Sequence, residues 1–230
     1  MTIGKAHIYL PRINTALRIL REMKINASTY LDIGCANGEI TMEVANIIGA
    51  KEVYGIDINR EALKEAEKRG IKVFMLDISK DKLPFKDNSI DLITAFEIIE
   101  HLINPDHMLR EAYRVLRKGG YLLLSTPNLA SWANRIAMLL GYQPYNVETS
   151  TEILAGVLIR WKGLKPIGHI RSYTLRALKE LLLYHGFWII KIKGTYDVVP
   201  RWLIPIDKLL SIKSSFARRL IILAMKGKNT

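Results

Sequence analysis

The sequence predicts an α/β fold, a mostly parallel sheet with helices on both faces, and three observations predict it. Between Thr29 and Ser125, apolar runs of strand length alternate with segments of helical period. The links between them are short, as strand–helix–strand crossovers require. The composition, 49% hydrophobic and 24% charged over 230 residues, suits one folded domain with a sizeable core. It excludes a disordered, collagen-like or disulfide-rich chain.

The elements follow in order. Residues 11–24 carry Ile13, Leu17, Leu20 and Met23 at helical spacing, which predicts an amphipathic helix lying on the main domain. Residues 29–33 read as a first buried strand, and a helix follows from near Gly38 to Ile48. Residues 52–57 form a second strand, 60–69 a second helix stopped by Gly70, and 71–76 a third strand. A polar turn containing Pro84 leads to the fourth strand, 90–96. Residues 106–117 are helical, Gly119 and Gly120 mark their end, and 121–125 form the fifth strand.

After Pro127 the rhythm breaks. Residues 129–140 predict an apolar helix, and 141–171 an irregular stretch with Tyr142, Tyr145 and Trp161. Thr174 caps a helix over 175–185 whose inner face is Leu178, Leu181 and Leu182. Residues 187–192 form another strand, 201–219 a basic amphipathic helix and 220–225 a last strand. An insertion this long after the fifth strand reads as a lid over a pocket. The division expected is an N-terminal helix (1–27), a core (28–128), a lid (129–173) and the C-terminal part of the core with its basic helix (174–230), all in one domain.

The net charge of +12 is unevenly placed. Residues 1–159 hold 19 Lys and Arg against 19 Asp and Glu, whereas residues 160–230 hold 15 against 3, namely Glu180, Asp197 and Asp207. Such an end favours an anionic substrate, a nucleic acid or an anionic membrane surface; solubility alone is the alternative. The single cysteine, Cys35, excludes an internal disulfide or a Cys-based zinc site and fits a reducing compartment. No apolar run nears the roughly 18 residues that span a bilayer, and residues 1–7 lack the apolar centre of a secretory signal. The expectation is a cytoplasmic protein, peripheral at a membrane if its basic end meets lipid.

Open α/β sheets bind ligands at the carboxyl ends of their strands. The first strand ends in Asp32-Ile33-Gly34-Cys35-Ala36-Asn37-Gly38-Glu39, where small residues let the backbone approach a ligand and a helix N-terminus follows. The second ends in Asp57, whose carboxylate can accept from both hydroxyls of a ribose. The third ends in Asp77 and Ile78, the fourth in Phe96 and Glu97. A dinucleotide site wants three glycines as G-x-G-x-x-G beneath a pyrophosphate. Here Ala36 replaces the second, nothing matches the third, and Glu39 brings negative charge. A cationic cofactor without phosphate fits better.

Residues 31–39 resemble the L-D-I-G-C-G-x-G loop of class I S-adenosylmethionine-dependent methyltransferases. Asp57 matches that family's ribose-binding acid, and Asp77 with Ile78 its adenine-contacting pair. Ser89-Ile90-Asp91-Leu92-Ile93 and Val115-Leu116-Arg117-Lys118-Gly119-Gly120 match its fourth strand and its R-V-L-K-P-G-G turn. The likeness is close over 30–127 and looser over 168–194; Ala36 and Lys118 are mild departures. It implies a Rossmann-like seven-stranded sheet, mostly parallel with an antiparallel last strand, and S-adenosyl-L-methionine as methyl donor. By the same resemblance Asp32 orients the methionine amino group, and Gly34, Ala36 and Gly38 line or shape that end. Ile58 and Phe96, beside Asp57 and at the fourth strand's end, complete the implied cofactor site.

In Glu97-Ile98-Ile99-Glu100-His101, spacings of three and four put the three polar groups on one side if the stretch turns helically. Two carboxylates and an imidazole can hold a divalent ion. The run resembles the magnesium motif of ubiquinone-biosynthesis and small-RNA O-methyltransferases, which implies Glu97, Glu100 and His101 as ligands of Mg2+, with His169 as a fourth. The alternative is that Glu100 caps a turn and His101 acts as base or packs. His169, Arg171 and Tyr173 are expected at the acceptor side or as lid anchors, and His7, His107 and His185 at the surface or in packing. The function expected is methyl transfer to an oxygen of a small-molecule or lipid- or glycan-linked acceptor. The alternatives are an RNA methyltransferase using the basic end, or a non-catalytic cofactor-binding subunit.

Overall fold

The computed structural model describes residues 11–159, 165–197 and 201–227; His7 and Trp161 lie outside them. Its centre is a seven-stranded sheet of order β3-β2-β1-β4-β5-β7-β6. The strands are β1 (Thr29–Ile33), β2 (Glu52–Asp57), β3 (Lys72–Met75), β4 (Ile90–Phe96), β5 (Leu116–Pro127), β6 (Phe187–Thr195) and β7 (Arg219–Lys226). All pairings are parallel except those of β7, which runs antiparallel to both β5 and β6. The Rossmann-like fold expected from the sequence is therefore present, antiparallel last strand included.

The helices are α1 (Pro11–Glu22), α2 (Glu39–Ile48), α3 (Arg60–Lys68), α4 (Pro105–Val115), α5 (Trp132–Leu139), α6 (Leu175–Tyr184) and α7 (Ile204–Ser211). Side chains alternate across each strand, so one sequence run feeds both faces. Tyr30, Leu92, Leu123 and Ile221 pack under α1 and α2. Leu31, Ile93, Leu122 and Ile222 pack under α4 and α6. The helix starts follow capping chemistry: Asn59, Asn104, Ser131 and Thr174 accept from backbone N–H groups one turn ahead.

Two elements differ from the sequence pattern. β5 begins at Leu116 rather than 121, because Leu116 pairs with Ile90 before Tyr121 pairs with Leu92. The chain between bulges out, with Gly119 at φ +77° making the excursion. The expected helix over 201–219 is only the eight residues of α7, preceded by a 3₁₀ turn, Arg201–Leu203. Ser214 and Ser215 sit in the turns that follow, and Arg218 and Arg219 are drawn off by Asp207 and Glu97. Strand order reverses between β1 and β4, since β2 and β3 lie on one side of β1 and β4 on the other. The crevice at those two carboxyl ends is where such sheets take ligands.

Candidate active site

After β1 the chain curls through three left-handed residues, Gly34 (φ +80°), Ala36 (φ +46°) and Gly38 (φ +79°). A side chain at Gly34 would collide with Ile98, so this position must be bare. Ala36 holds a glycine's conformation, which costs a non-glycine residue about 1 kcal/mol. Its N–H donates to Asp57 Oδ2 at 2.9 Å, while Asn59 N–H donates to Oδ1 at 2.8 Å. Each Asp57 oxygen thus spends one lone pair on backbone and keeps another. Gly38 faces Ala66 of α3, and a Cβ there would press on that helix at 3.1 Å. It packs against that helix and Ile71 and lines neither cavity described next.

A cavity of about 300 Å³ is lined by Gly34, Asp57, Ile58, Asp77, Ile78 and His101 together with apolar neighbours. That is the lower end of the range for small-molecule sites. A second, of about 130 Å³, shares Gly34 and adds Asp32, Ala36, Phe96 and Arg12. Nine of the residues expected around a cofactor and an acceptor therefore border two adjoining spaces. Cys35 is buried and its thiol is pushed far up by burial, so it is a filler. Glu39 is occupied by Arg69 at 3.0 Å.

Beneath the loop runs a buried polar chain. Thr41 and Thr94 hydroxyls each donate to Asp32 at 2.6 Å. Thr94 has one proton to give, so the Tyr30 hydroxyl, 2.7 Å away, donates to Thr94. Burial nonetheless raises Asp32 from 3.8 to about 6, against those two hydrogen bonds. Arg12 was not anticipated from the sequence. Among the described residues its Nε has no hydrogen-bond partner, and burial lowers its proton affinity while Asp197 and Glu100 raise it. An arginine beside the inward-facing Ile13 in an otherwise apolar helix face was the available signal.

At the end of β4 the five-residue acidic run does not turn as one helix. Glu97 is left-handed (φ +57°), and only Ile99–His101 forms a 3₁₀ turn. Glu97 accepts from the Ser125 hydroxyl at 2.8 Å and is ion-paired with the half-buried Arg219. It therefore leaves the expected metal group. Glu100, His101 and His169 do come together, with one ligand atom each within 4.8 Å of the others. One carboxylate and two imidazoles do not fit magnesium, which takes an octahedron of oxygens.

Glu100 is buried, accepts from Thr126 at 3.0 Å through one oxygen and, among the described residues, has no partner on the other. Burial pushes its carboxyl up to about 7. His101 Nδ1 lies 2.9 Å from the Gly168 carbonyl. A carbonyl only accepts, so Nδ1 carries the proton of the neutral ring and Nε2 keeps a free lone pair. The Gly168 segment is itself fastened. Glu148 accepts from the N–H groups of Ile167, Gly168 and His169 at 2.9, 2.8 and 3.2 Å. Glu148 was also missed, although it is the only acidic residue between Glu111 and Glu152. Burial lowers His169, so its 3.6 Å approach to Glu148 is not an ion pair at neutral pH.

His169 borders a third cavity of about 180 Å³ with Tyr145, Lys165, Arg218 and Arg219. Tyr173 instead belongs to the core, its hydroxyl pushed up to about 12 by burial, and Arg171 clamps the Ile103 carbonyl at 2.7 Å. These two fasten the segment after Gly168 to the body of the domain. His107 and His185 are structural, bonded to the Asp81 carbonyl and to Asp106.

A family model described as a methyltransferase domain matches residues 8–192. The chain is 36% identical over 121 residues to a mitochondrial ubiquinone biosynthesis O-methyltransferase of Candida albicans, covering 48% of this chain and 36% of that protein. It is 38% identical over 102 residues to the 27-O-demethylrifamycin SV methyltransferase of Amycolatopsis mediterranei, covering 41% and 36%. The chain thus spans little more than a third of the length of these relatives. Among solved structures, an S-adenosylmethionine-dependent methyltransferase from Clostridium acetobutylicum superposes with a TM-score of 0.64 at 17% identity, covering 95% of this chain and 92% of that one.

Proposed function

The chain belongs to the methyltransferase-domain family, and from that premise we propose that it methylates an oxygen of a small acceptor, with His101 as the base. The single observation that carries this reading is the hydrogen bond from His101 Nδ1 to the Gly168 carbonyl, which leaves Nε2 able to take a proton at the wall of the cavity that also holds Asp57 and Asp77.

S-adenosylmethionine, when bound, supplies a methyl group already activated on a positively charged sulfur. The residues fit it. The bare Gly34 lets a ligand lie against backbone, Asp57 keeps free lone pairs for two ribose hydroxyls, and Asp77 with Ile58 and Ile78 offers an acid between apolar walls for the base. In the adjoining space the buried Asp32 and the Arg12 guanidinium, with its unpartnered Nε, match the ammonium and carboxylate of the amino-acid end. Alignment of the acceptor is then the main catalytic demand. We take the chain as one domain in which residues 129–173 close the acceptor side, held by Glu148 and Arg171. The two relatives named above are O-methyltransferases of a quinone pathway and of a rifamycin, which supports an acceptor of that kind, free or carried on lipid or glycan.

Arg218 and Arg219 are already paired with Asp207 and Glu97, which weakens the reading of the basic end as an RNA track. The test is transfer of labelled methyl from S-adenosylmethionine to pooled phenols, quinols and polyprenyl glycans, with RNA as a parallel pool. Oxygen-linked product that disappears in His101→Asn supports the proposal; label in RNA, or product unchanged in that variant, refutes it.

A further inference from the structure

α7 is turned inside out. Its buried residues are Asp207 and Ser211, whereas Ile206, Leu209 and Ile212 are 47%, 67% and 80% exposed and Trp202, just before the helix, is 71% exposed. An ordinary surface helix does the reverse. The cause is the way α7 is attached. Asp207 accepts from Trp132 Nε1 at 2.5 Å, from Arg218 Nε at 3.1 Å and from the Asp197 N–H at 2.9 Å. The absent side chain at Gly194 lets the Ser211 carbonyl press onto β6, where a Cβ would meet it at 2.8 Å. With its polar residues spent inward, the helix presents Ile206 and Leu209 outward, and the exposed Ile212 and Lys213 follow just past its end. α5, tied to α7 through Trp132 at its first residue, exposes Met138 and Leu139 at its far end, and Leu140 follows them.

We propose that this face docks on an anionic lipid surface, with Trp202, Ile206, Leu209 and Ile212 entering the headgroup boundary and Lys208 and Lys213 meeting the lipid charge. The charges select the occupant. Asp207 is the only acidic residue between 201 and 227, and it is buried, so the exposed face carries cations alone. A second copy would set Lys208 and Lys213 against themselves; an anionic bilayer complements them and accepts the apolar residues in the same contact. Lys208 and Lys213 also lie over the rings of Tyr196 and Phe216, at 5.0 and 5.2 Å. Among the described residues no helix is long and apolar enough to cross a membrane, so the contact is peripheral. It brings the basic C-terminal third to the lipid and stands apart from the identity of the acceptor.

The test is co-sedimentation of the protein with phosphatidylcholine vesicles and with phosphatidylcholine–phosphatidylglycerol vesicles. Wild type pellets with the anionic vesicles and not with the neutral ones, and added salt releases it. Leu209→Asp with Ile212→Asp lowers the partition coefficient about tenfold or more, and Lys208→Glu with Lys213→Glu does the same. Both variants must keep the wild-type melting temperature and donor affinity, which separates a lost surface from a lost fold. If the charge variant alone fails to fold, neutral Lys208→Gln with Lys213→Gln gives the same comparison. Equal pelleting of wild type and the Asp variant overturns the proposal. So does a wild-type dimer that the Asp variant dissociates while neither protein binds vesicles.

Discussion

Exchange of Asp32 for asparagine separates stability from binding, because the two respond to the buried charge with opposite sign. Asp32 is raised from 3.8 to about 6 by burial, only partly offset by the Thr41 and Thr94 hydroxyls. The folded protein therefore holds this proton over a window where the unfolded chain has released it. The cost of ionising Asp32 is absent below about pH 4, grows as pH rises, and is complete above about pH 6, where it reaches about 3 kcal/mol. An asparagine side chain has the same shape and no charge, so Asp32→Asn escapes that cost. Urea denaturation at about pH 4 and about pH 7.5 measures most of it: the stability of the variant minus that of wild type rises by about 2.5 kcal/mol between the two. Binding moves the other way. A bound ammonium rewards the Asp32 charge, so wild-type affinity for S-adenosylmethionine weakens as pH falls through about 6. In the variant, calorimetry gives an affinity about tenfold or more weaker at neutral pH and without that pH dependence. Parallel denaturation profiles for the two proteins, or equal affinities, would mean that Asp32 carries no buried charge of consequence.

His101→Asn keeps a group that can donate to the Gly168 carbonyl but removes the proposed base; turnover falls by about 10²–10⁴ with donor affinity unchanged, as single-turnover kinetics and calorimetry can check. Ala36→Gly relieves a left-handed alanine, so its unfolding free energy stays within about 0.5 kcal/mol of wild type, whereas Ala62→Gly within α3 costs about 1 kcal/mol. Glu148→Ala removes the shared acceptor of three N–H groups around Gly168, two of them on exposed residues that water can reach, and costs about 1 kcal/mol of stability. Because it also frees the carbonyl that holds His101, turnover falls in the same variant while donor affinity is kept.

What the sequence revealed was local. Gly34, Asp57 and Asp77 sit where strand meets loop, and alternation places strand ends well enough to find them. His101 was legible by its neighbours in sequence. Arg12 and Glu148 were not, because each reaches the site from an element far away in the chain and their value lies in partners that no periodicity encodes. Glu97 was drawn into the wrong group by counting helical spacings across a residue whose backbone is left-handed. The inverted α7 misled for a related reason: its composition reads as an amphipathic helix, and only the contacts of Asp207 with Trp132 and Arg218 decide which face turns inward. Arg218 and Arg219, counted among free basic residues by their position, are consumed by largely buried acids.

The central claim is that Asp57 seats the donor in the cavity His101 borders, and a titration of S-adenosylhomocysteine into wild type, Asp57→Ala and His101→Asn tests it most directly. Loss of two charge-assisted hydrogen bonds at about 1.5–3 kcal/mol each predicts at least a hundredfold weaker binding for Asp57→Ala, with His101→Asn within about threefold of wild type. Wild-type affinity in Asp57→Ala would contradict the account.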